Sequence, residues 1–254
     1  MCKCAHAMSV FLLSLSLLAC QSTSTATKAP NDRAKLAEIN TELGGQYLSS
    51  GEYQIAMDKL NKAIELNPRH VDAHATLGVL HSVLGQYEKA EASFKQALRI
   101  EPNNSAALNN FGQFLCQRGR YEEGQKTIMK AVENPLYRNA ENAYYNVGVC
   151  ALAGGQFDQA DASFRKALEI EPRLPPALLQ MADLSLQQQH ALQGRAYLQR
   201  FTAVAQPNAR SLWLGVQIER QLGDRDAEAS YGLQLEKNYP DSPQTKLLLE
   251  SKPP

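Results

Sequence analysis

The sequence lacks the features that most enzymes and membrane-spanning proteins carry. It holds no run of 18 apolar residues, so no segment is long enough to cross a bilayer as a helix. No part of it matches a glycine-rich phosphate loop, a nucleophile elbow or the paired cysteines of a zinc site. Its 26 basic residues balance its 26 acidic ones, so no net positive field attracts nucleic acid. We therefore expect a protein that is not an enzyme, requires no cofactor and does not bind nucleic acid.

What the sequence does contain is a 34-residue period. Small residues such as Gly44 and Ala56 let two antiparallel helices approach closely, large residues fill the space between them, and Pro68 ends the second helix. The period and its spacing resemble the tetratricopeptide repeat. Nine positions are matched by similar residues one period later: Leu43, Gly44, Tyr47, Gly51, Tyr53, Ala56, Leu60, Ala63 and Pro68 by Leu77, Gly78, His81, Gly85, Tyr87, Ala90, Phe94, Ala97 and Pro102.

This resemblance implies an all-α fold, a tetratricopeptide-repeat solenoid of about six helix-turn-helix repeats that winds as a right-handed superhelix. Two extra residues precede the fourth repeat, in the segment 134–141, so we expect an irregular joint there. In the fifth repeat, Gln189 replaces the glycine that caps the first helix. We expect the repeat domain to span residues 32–250, with repeats at about 37–70, 71–104, 105–140, 141–174, 175–207 and 208–241.

The N-terminus has the pattern of an export signal, because Lys3 is followed by a short apolar run and then by Cys20. The motif LLAC at 17–20 resembles a bacterial lipobox, in which the cysteine is acylated and becomes the first residue of the mature chain. We predict a lipoprotein signal peptide over 1–19, a covalent lipid on Cys20 and a flexible tether over 20–31. An ordinary signal peptide with a chance cysteine is the alternative.

A lipid on Cys20 would anchor the protein to a membrane. Two or more acyl chains, at about 0.8 kcal/mol per buried methylene, hold a protein stably, whereas a single chain does not. Gln21 follows the cysteine, at the position where an aspartate favours inner-membrane retention in related lipoproteins. We therefore expect the outer membrane, with the protein facing the periplasm.

Two cysteines remain for a disulfide once the signal peptide and the lipid are accounted for. Cys116 and Cys150 fall on the first helices of adjacent predicted repeats, and such helices lie side by side in this fold. An oxidising compartment favours a bridge if the two Cα atoms lie within about 7 Å. Two buried free thiols are the alternative.

The predicted array offers one obvious binding surface, its extended concave face, which in tetratricopeptide proteins is lined by a few positions of each repeat. Here these positions combine apolar side chains with amides, which suits an extended or helical peptide. Packing against neighbouring helices is the alternative for each residue. The predicted groove residues are Leu48, Val79, Val83, Asn109, Gln113, Tyr145 and Val149, with Ala75, Gln117, Asn142 and Leu152 as further members.

Three histidines are the best candidates for metal ligands. His70 and His74 lie four residues apart and can share one face of a helix. However, His74 and His81 fall at repeat positions that carry large packing residues. We therefore expect no metal site.

The middle of the chain resembles a narrower family. The segments NNFGQFLCQRGRYEEG at 109–124 and ENPLYRNAENAYYNVGVC at 133–150 contain the elements NxGxFLC, NPLY and NxGxC, with the two cysteines. These elements, the lipobox and the six repeats are similar to the lipoproteins of type IV pilus biogenesis, the PilF/PilW-type pilotins. The resemblance implies an outer-membrane lipoprotein, expected to be monomeric, that binds the type IV pilus secretin and promotes its localisation and multimerisation.

Two other functions stay open at this stage. The same lipid and groove would serve a general peptide-binding adaptor for outer-membrane or cell-wall assembly complexes. They would also serve the regulatory or substrate-binding half of an enzyme system.

Overall fold

The computed structural model describes residues 30–251, and this part of the chain contains thirteen α-helices and no strand. The first helix is the longest, with 20 residues. In chain order the helices are α1 (Pro30–Ser49), α2 (Tyr53–Leu66), α3 (Val71–Val83), α4 (Tyr87–Ile100), α5 (Ser105–Gln117), α6 (Tyr121–Val132), α7 (Ala140–Ala153), α8 (Phe157–Ile170), α9 (Pro175–Gln187), α10 (Ala191–Thr202), α11 (Ala209–Leu222), α12 (Arg225–Asn238) and α13 (Pro243–Glu250).

The helices pack in six consecutive pairs, from α1 with α2 to α11 with α12, and α13 packs against both helices of the last pair. We call the odd-numbered helix of each pair its first helix and the even-numbered one its second helix. Most first helices of neighbouring pairs also contact one another: α1 contacts α3, α3 contacts α5, α5 contacts α7 and α9 contacts α11. We call the surface that they form the first-helix face. This arrangement confirms the predicted all-α tetratricopeptide solenoid.

Close packing within a pair depends on a glycine in the first helix. A Cβ atom built on Gly78 would lie only 2.9 Å from the ring of Phe94, so no larger residue fits without displacing that ring. The small and large residues that recur in the sequence are therefore the two sides of one helix–helix contact. The same relationship joins Gly44 to Leu60, Gly148 to Phe164 and Gly215 to Tyr231.

The turn inside each pair requires a residue in the left-handed region of backbone conformation, which favours glycine. In the fifth pair Gln189 takes this conformation, with φ of 64°. Gln189 therefore has the same backbone conformation as the glycines of the other turns, although it carries a side chain where glycine is preferred. The glycines at the other five turns have φ between 71° and 78° and are Gly51, Gly85, Gly119, Gly155 and Gly223.

The first helix begins at Pro30, two residues before the predicted start of the repeat domain. Proline suits the first turn of a helix because an N–H group there has no partner within the helix. The predicted tether is therefore wrong at its last two residues, which are helical. Its remainder, together with Cys20 and the predicted signal peptide, lies outside the described residues. Between residues 30 and 251, no helix combines the length and apolar character needed to cross a membrane.

The third and fourth pairs meet at the irregular joint that the two extra residues predicted. The link from α6 to α7 covers residues 133–139, whereas the link from α2 to α3 covers only 67–70. Leu136, in the middle of the longer link, is 84% exposed. The hydroxyl group of Ser105 donates to the Ala131 carbonyl at 2.9 Å and closes the packing beneath the link.

Candidate functional site

A narrow cleft of about 130 Å³ opens on the first-helix face between α3 and α5. Three of the predicted groove residues, Val79, Val83 and Gln113, lie in its wall together with Gln117. None of the residues around the cleft is charged, so it has no group that would pair with a charged ligand. The complete lining is Val79, Ser82, Val83, Phe94, Asn110, Gln113, Phe114 and Gln117.

An aromatic cluster forms the floor of the cleft. The ring centroid of Phe94 lies 5.6 Å from that of Phe111 and 5.5 Å from that of Phe114. Aromatic pairs at such distances are worth about 1 kcal/mol beyond the area they bury. All three rings are buried, and Val79 packs against them. The floor is therefore held rigidly, and an incoming side chain would meet a preformed apolar surface.

The rim of the cleft combines apolar and amide groups. Val83, at the end of α3, is 52% exposed, which is unusual for a valine and leaves it open to a partner. Asn110, Gln113 and Gln117 follow one another at three and four residues on α5, so they share one face of that helix. Their side-chain amides can donate and accept hydrogen bonds along a peptide backbone.

Two other predicted groove residues are engaged in packing. Leu48 is half-buried against the cluster that contains Leu77 and Leu80, where α1 meets α3. Tyr145 is half-buried, and its ring centroid lies 5.8 Å from that of Phe164. Val149 is 36% exposed on α7, but it does not line the cleft. Of the seven predicted residues, three line this cleft and four do not.

Asn109 is a correction to the predicted groove. Its side chain is only 7% exposed, and its amide oxygen accepts a hydrogen bond of 3.0 Å from the side-chain amide of Asn146. It ties α5 to α7, and its burial leaves little of it accessible to a partner. Its neighbour Asn110 lines the cleft instead. In the sequence, Phe111 and Phe114 indicate the buried side of α5. The helical period of α5 would have placed Asn110 on the same face as Gln113.

The two remaining cysteines meet between α5 and α7. Cys116 and Cys150 form a disulfide, with their Cα atoms 5.4 Å apart. The bond joins α5 to α7, the two first helices on either side of the irregular joint. Gly124 lies beneath it, because a Cβ atom at this position would overlap the sulfur of Cys116 and come within 2.7 Å of the Gly112 carbonyl. Four of the other five repeats carry alanine at this position, and the repeat pattern alone gives no reason for a glycine here.

Two of the three candidate histidines, His74 and His81, make local contacts. The ring of His74 lies 2.9 Å from the Pro68 carbonyl, and Nδ1 of His81 lies 2.9 Å from the side-chain oxygen of Gln86. Burial lowers the pKa of His81 below its usual 6.5, against the opposing effect of the hydrogen bond to Gln86. Within residues 30–251, histidine, cysteine and carboxylate side chains nowhere gather into a group of three that could hold a metal ion.

Known families match most of this solenoid. Tetratricopeptide repeat models match residues 59–92 and 84–135, and the model of the cilia and flagella-associated protein 70 middle TPR-like domain matches 135–237. The type IV pilus assembly protein PilF of Pseudomonas aeruginosa is 33% identical over 235 residues, which cover 92% of this chain and 93% of PilF. The chain belongs to the PilF family of type IV pilus biogenesis proteins. The family resemblance that the NxGxFLC and NxGxC elements indicated is thereby confirmed.

Two solved structures of PilF-type proteins agree in fold. The structure of Pseudomonas aeruginosa PilF superposes with a TM-score of 0.76 at 33% identity, covering 87% of this chain and 99% of PilF. That of PilW, described as a widely conserved type IV pilus biogenesis factor, superposes with a TM-score of 0.77 at 29% identity, covering 85% of this chain and 99% of PilW. A tetratricopeptide repeat protein from Parabacteroides merdae, at 20% identity and a TM-score of 0.61, shares the fold alone.

Proposed function

We propose that this PilF-family protein is an outer-membrane pilotin. It is anchored by lipid on Cys20, binds the secretin subunit of the type IV pilus, and promotes the localisation and multimerisation of that secretin. Pilus assembly and twitching motility would then depend on it. The observation that carries the proposal is the relationship to PilF, which extends over nearly the whole length of both chains.

The cleft on the first-helix face supports a role in holding a segment of another protein. Its volume of about 130 Å³ suits a single apolar side chain rather than a folded domain. Phe94 and Phe114 supply the apolar floor, and Asn110 and Gln113 supply amide groups for the backbone beside that side chain. An uncharged cleft would favour an uncharged, apolar segment of the secretin.

The mechanism requires no chemistry beyond binding. The acyl chains partition into one membrane, and a secretin subunit that is bound to the tethered protein is concentrated there. The bound segment is shielded from aggregation while subunits gather. The tetratricopeptide scaffold is therefore sufficient, and the protein is proposed to act without catalysis, cofactor or metal.

A deletion strain tests this proposal. We expect it to lose the heat- and detergent-resistant secretin multimers, and to leave secretin subunits in the inner-membrane fraction. The wild-type protein should restore both the multimers and their location. A Cys20→Ala variant, produced at the same level, should fail to restore the outer-membrane location because it has no lipid.

Two results would contradict the proposal. Normal secretin multimers in the deletion strain would remove the pilotin role and leave a lipid-anchored peptide-binding solenoid with another partner. Loss of several unrelated outer-membrane complexes would instead indicate the general assembly adaptor.

A further inference from the structure

The C-terminal end of the first-helix face carries a second depression, which is open and has a volume of about 710 Å³. It is lined by residues near the C-terminal ends of α9, α11 and α13. Gln217 and Gln221 line it as the ninth and thirteenth residues of α11. Gln113 and Gln117, which line the cleft between α3 and α5, occupy the same two positions of α5. The depression therefore uses the same repeat positions as the cleft, at the other end of the solenoid.

The apolar wall of the depression contains the single tryptophan of the chain. Trp213 is half-buried and packs against the core cluster that includes Leu212 and Leu248, which holds it in place. Leu186 of α9 and Leu247 of α13 complete the apolar wall, and Leu247 is 48% exposed. Aliphatic side chains gain by covering such a wall, and tryptophan is the aromatic residue that attracts cations most strongly.

One charge in the depression is unmatched, and it is negative. Nε of Arg220 donates to the Glu228 carboxylate at 2.7 Å, and a terminal nitrogen of the same guanidinium donates to the Ser251 hydroxyl group at 3.2 Å. Glu250, in contrast, is exposed and forms no ion pair within residues 30–251. The helix ends around the depression add partial negative charge, because the last carbonyl groups of a helix lack partners within it. The depression therefore favours a cation, whereas the cleft is uncharged.

We propose that this depression binds a lysine or arginine side chain of a partner protein. The aliphatic stem of that side chain lies along Leu186 and Leu247, and its cationic end lies between the Trp213 ring and the Glu250 carboxylate. The amide of Gln217 binds the backbone of the same segment. An acidic segment would be repelled by Glu250, so charge selects the partner. The assignment does not depend on the pilotin role, because none of these residues belongs to the cleft.

The fluorescence of Trp213 provides a direct test, because the chain has no other tryptophan. The purified chain, with Cys20→Ala in every variant to remove the lipid, is titrated at low salt with three blocked pentapeptides. Each has a leucine at both ends and serines on either side of a central lysine, norleucine or glutamate. The lysine peptide should bind with a dissociation constant of about 1 mM or lower. The norleucine peptide, which keeps the stem but lacks the charge, should bind about tenfold more weakly, and the glutamate peptide more weakly still.

Substitutions of Glu250 separate the effect of its charge from that of the apolar wall. Glu250→Gln should weaken binding of the lysine peptide about fivefold and leave that of the norleucine peptide unchanged. Glu250→Lys should reverse the preference, so that the glutamate peptide binds more tightly than the lysine peptide. Glu42→Gln, which removes an exposed carboxylate on α1, is the matched control and should change nothing. Val83→Glu should also leave peptide binding unchanged, so a failure of this site can be distinguished from a failure of the cleft.

Three results would overturn the proposal. The first is a lysine peptide that leaves the fluorescence of Trp213 unchanged at millimolar concentration, or that binds no better than the norleucine peptide. The second is a preference for lysine that survives Glu250→Gln undiminished. The third is a parent chain that prefers the glutamate peptide, which would assign the depression to an anion held by Arg220.

Discussion

Gly124 and Cys116 are in direct contact, and a single methyl group on Gly124 would overlap the sulfur atom of Cys116. The corresponding second-helix position is alanine in four of the other pairs, at Ala56, Ala90, Ala160 and Ala227, and glycine in the fifth, at Gly194. The third pair is therefore packed more tightly than its neighbours, at the place where α5 is bonded to α7. The contacts with the sulfur of Cys116 and with the Gly112 carbonyl leave no room for a larger residue at this position.

We expect Gly124→Ala to lower the free energy of unfolding by about 2 kcal/mol, although alanine is the usual residue at this repeat position. The reason is overpacking against Cys116 and the Gly112 carbonyl. Gly45→Ala is the matched control, because it is also a helical glycine but has open space around it, and it should stabilise the protein by about 1 kcal/mol. Urea unfolding of both variants measures the difference, and equal effects would refute the packing argument.

The disulfide itself should make a large contribution to stability. It closes a loop with a sequence separation of 34, for which the chain-entropy model gives about 4 kcal/mol. Replacing both Cys116 and Cys150 by alanine should lower the free energy of unfolding by about that amount. A reducing agent should destabilise the wild-type protein and leave the double variant unaffected. A reductant effect that persists in the double variant would show that the loss has another origin.

The backbone of the turn in the fifth pair is strained, and a glycine would relieve that strain. Gln189 adopts a left-handed conformation, with φ of 64°, that glycine adopts at little cost. Gln189→Gly should therefore raise the free energy of unfolding by about 0.5 to 1 kcal/mol, less what is lost with the hydrogen bond from Gln221. Gln188→Gly, one residue earlier with φ of −83°, should instead destabilise the protein. Thermal unfolding of the two variants in parallel checks the opposite signs.

A charge in the cleft should weaken binding of the proposed partner. Val83 lies on the rim and is half exposed, so Val83→Glu should fold normally while placing a carboxylate beside the uncharged floor. We expect affinity for the purified secretin to fall at least about tenfold, measured by calorimetry. Leu136→Glu, on the exposed α6–α7 link, is the control and should bind like wild type. Unchanged affinity in a folded Val83→Glu variant would exclude the cleft as the binding site.

Stability should also depend on pH through His81. Burial lowers the pKa of this histidine in the folded state, so the unfolded chain binds a proton more readily as pH falls below its ordinary value of 6.5. The free energy of unfolding should therefore decrease as pH falls from 7 towards the lowered pKa, and this loss should level off below it. Tyr47 occupies the same repeat position in the first pair, so His81→Tyr should fit. That variant should show a smaller decrease over the same pH range, and an identical pH profile would exclude His81 as the source.

The fold could be predicted because the same pattern of small and large residues recurs along the sequence. Each glycine of a first helix and the large residue of the following second helix recur at one period, and the contacts of Gly44 and Gly78 are the physical reason for that recurrence. Helix limits were less predictable at the N-terminus, where the repeat pattern is absent. Pro30 begins a helix, although the preceding composition had favoured a tether.

The site could be predicted only in part, because repeat position does not fix the rotation of a helix about its axis. Val79, Val83 and Gln113 line the cleft, whereas Asn109 lies against α7 and is hydrogen-bonded to Asn146. The rule drawn from regular arrays therefore failed for Asn109, on the helix that precedes the irregular joint.

The Cys116–Cys150 bond also has a mechanical consequence. In a linear array, tension applied at the two ends is carried in series by every interface between neighbouring repeats, and the weakest interface yields first. The irregular joint, where the period is interrupted, would be a natural point of rupture. A covalent bond across that interface limits how far the chain between residues 116 and 150 can extend, so a load pulling on the protein would open the terminal repeats while the centre stays joined.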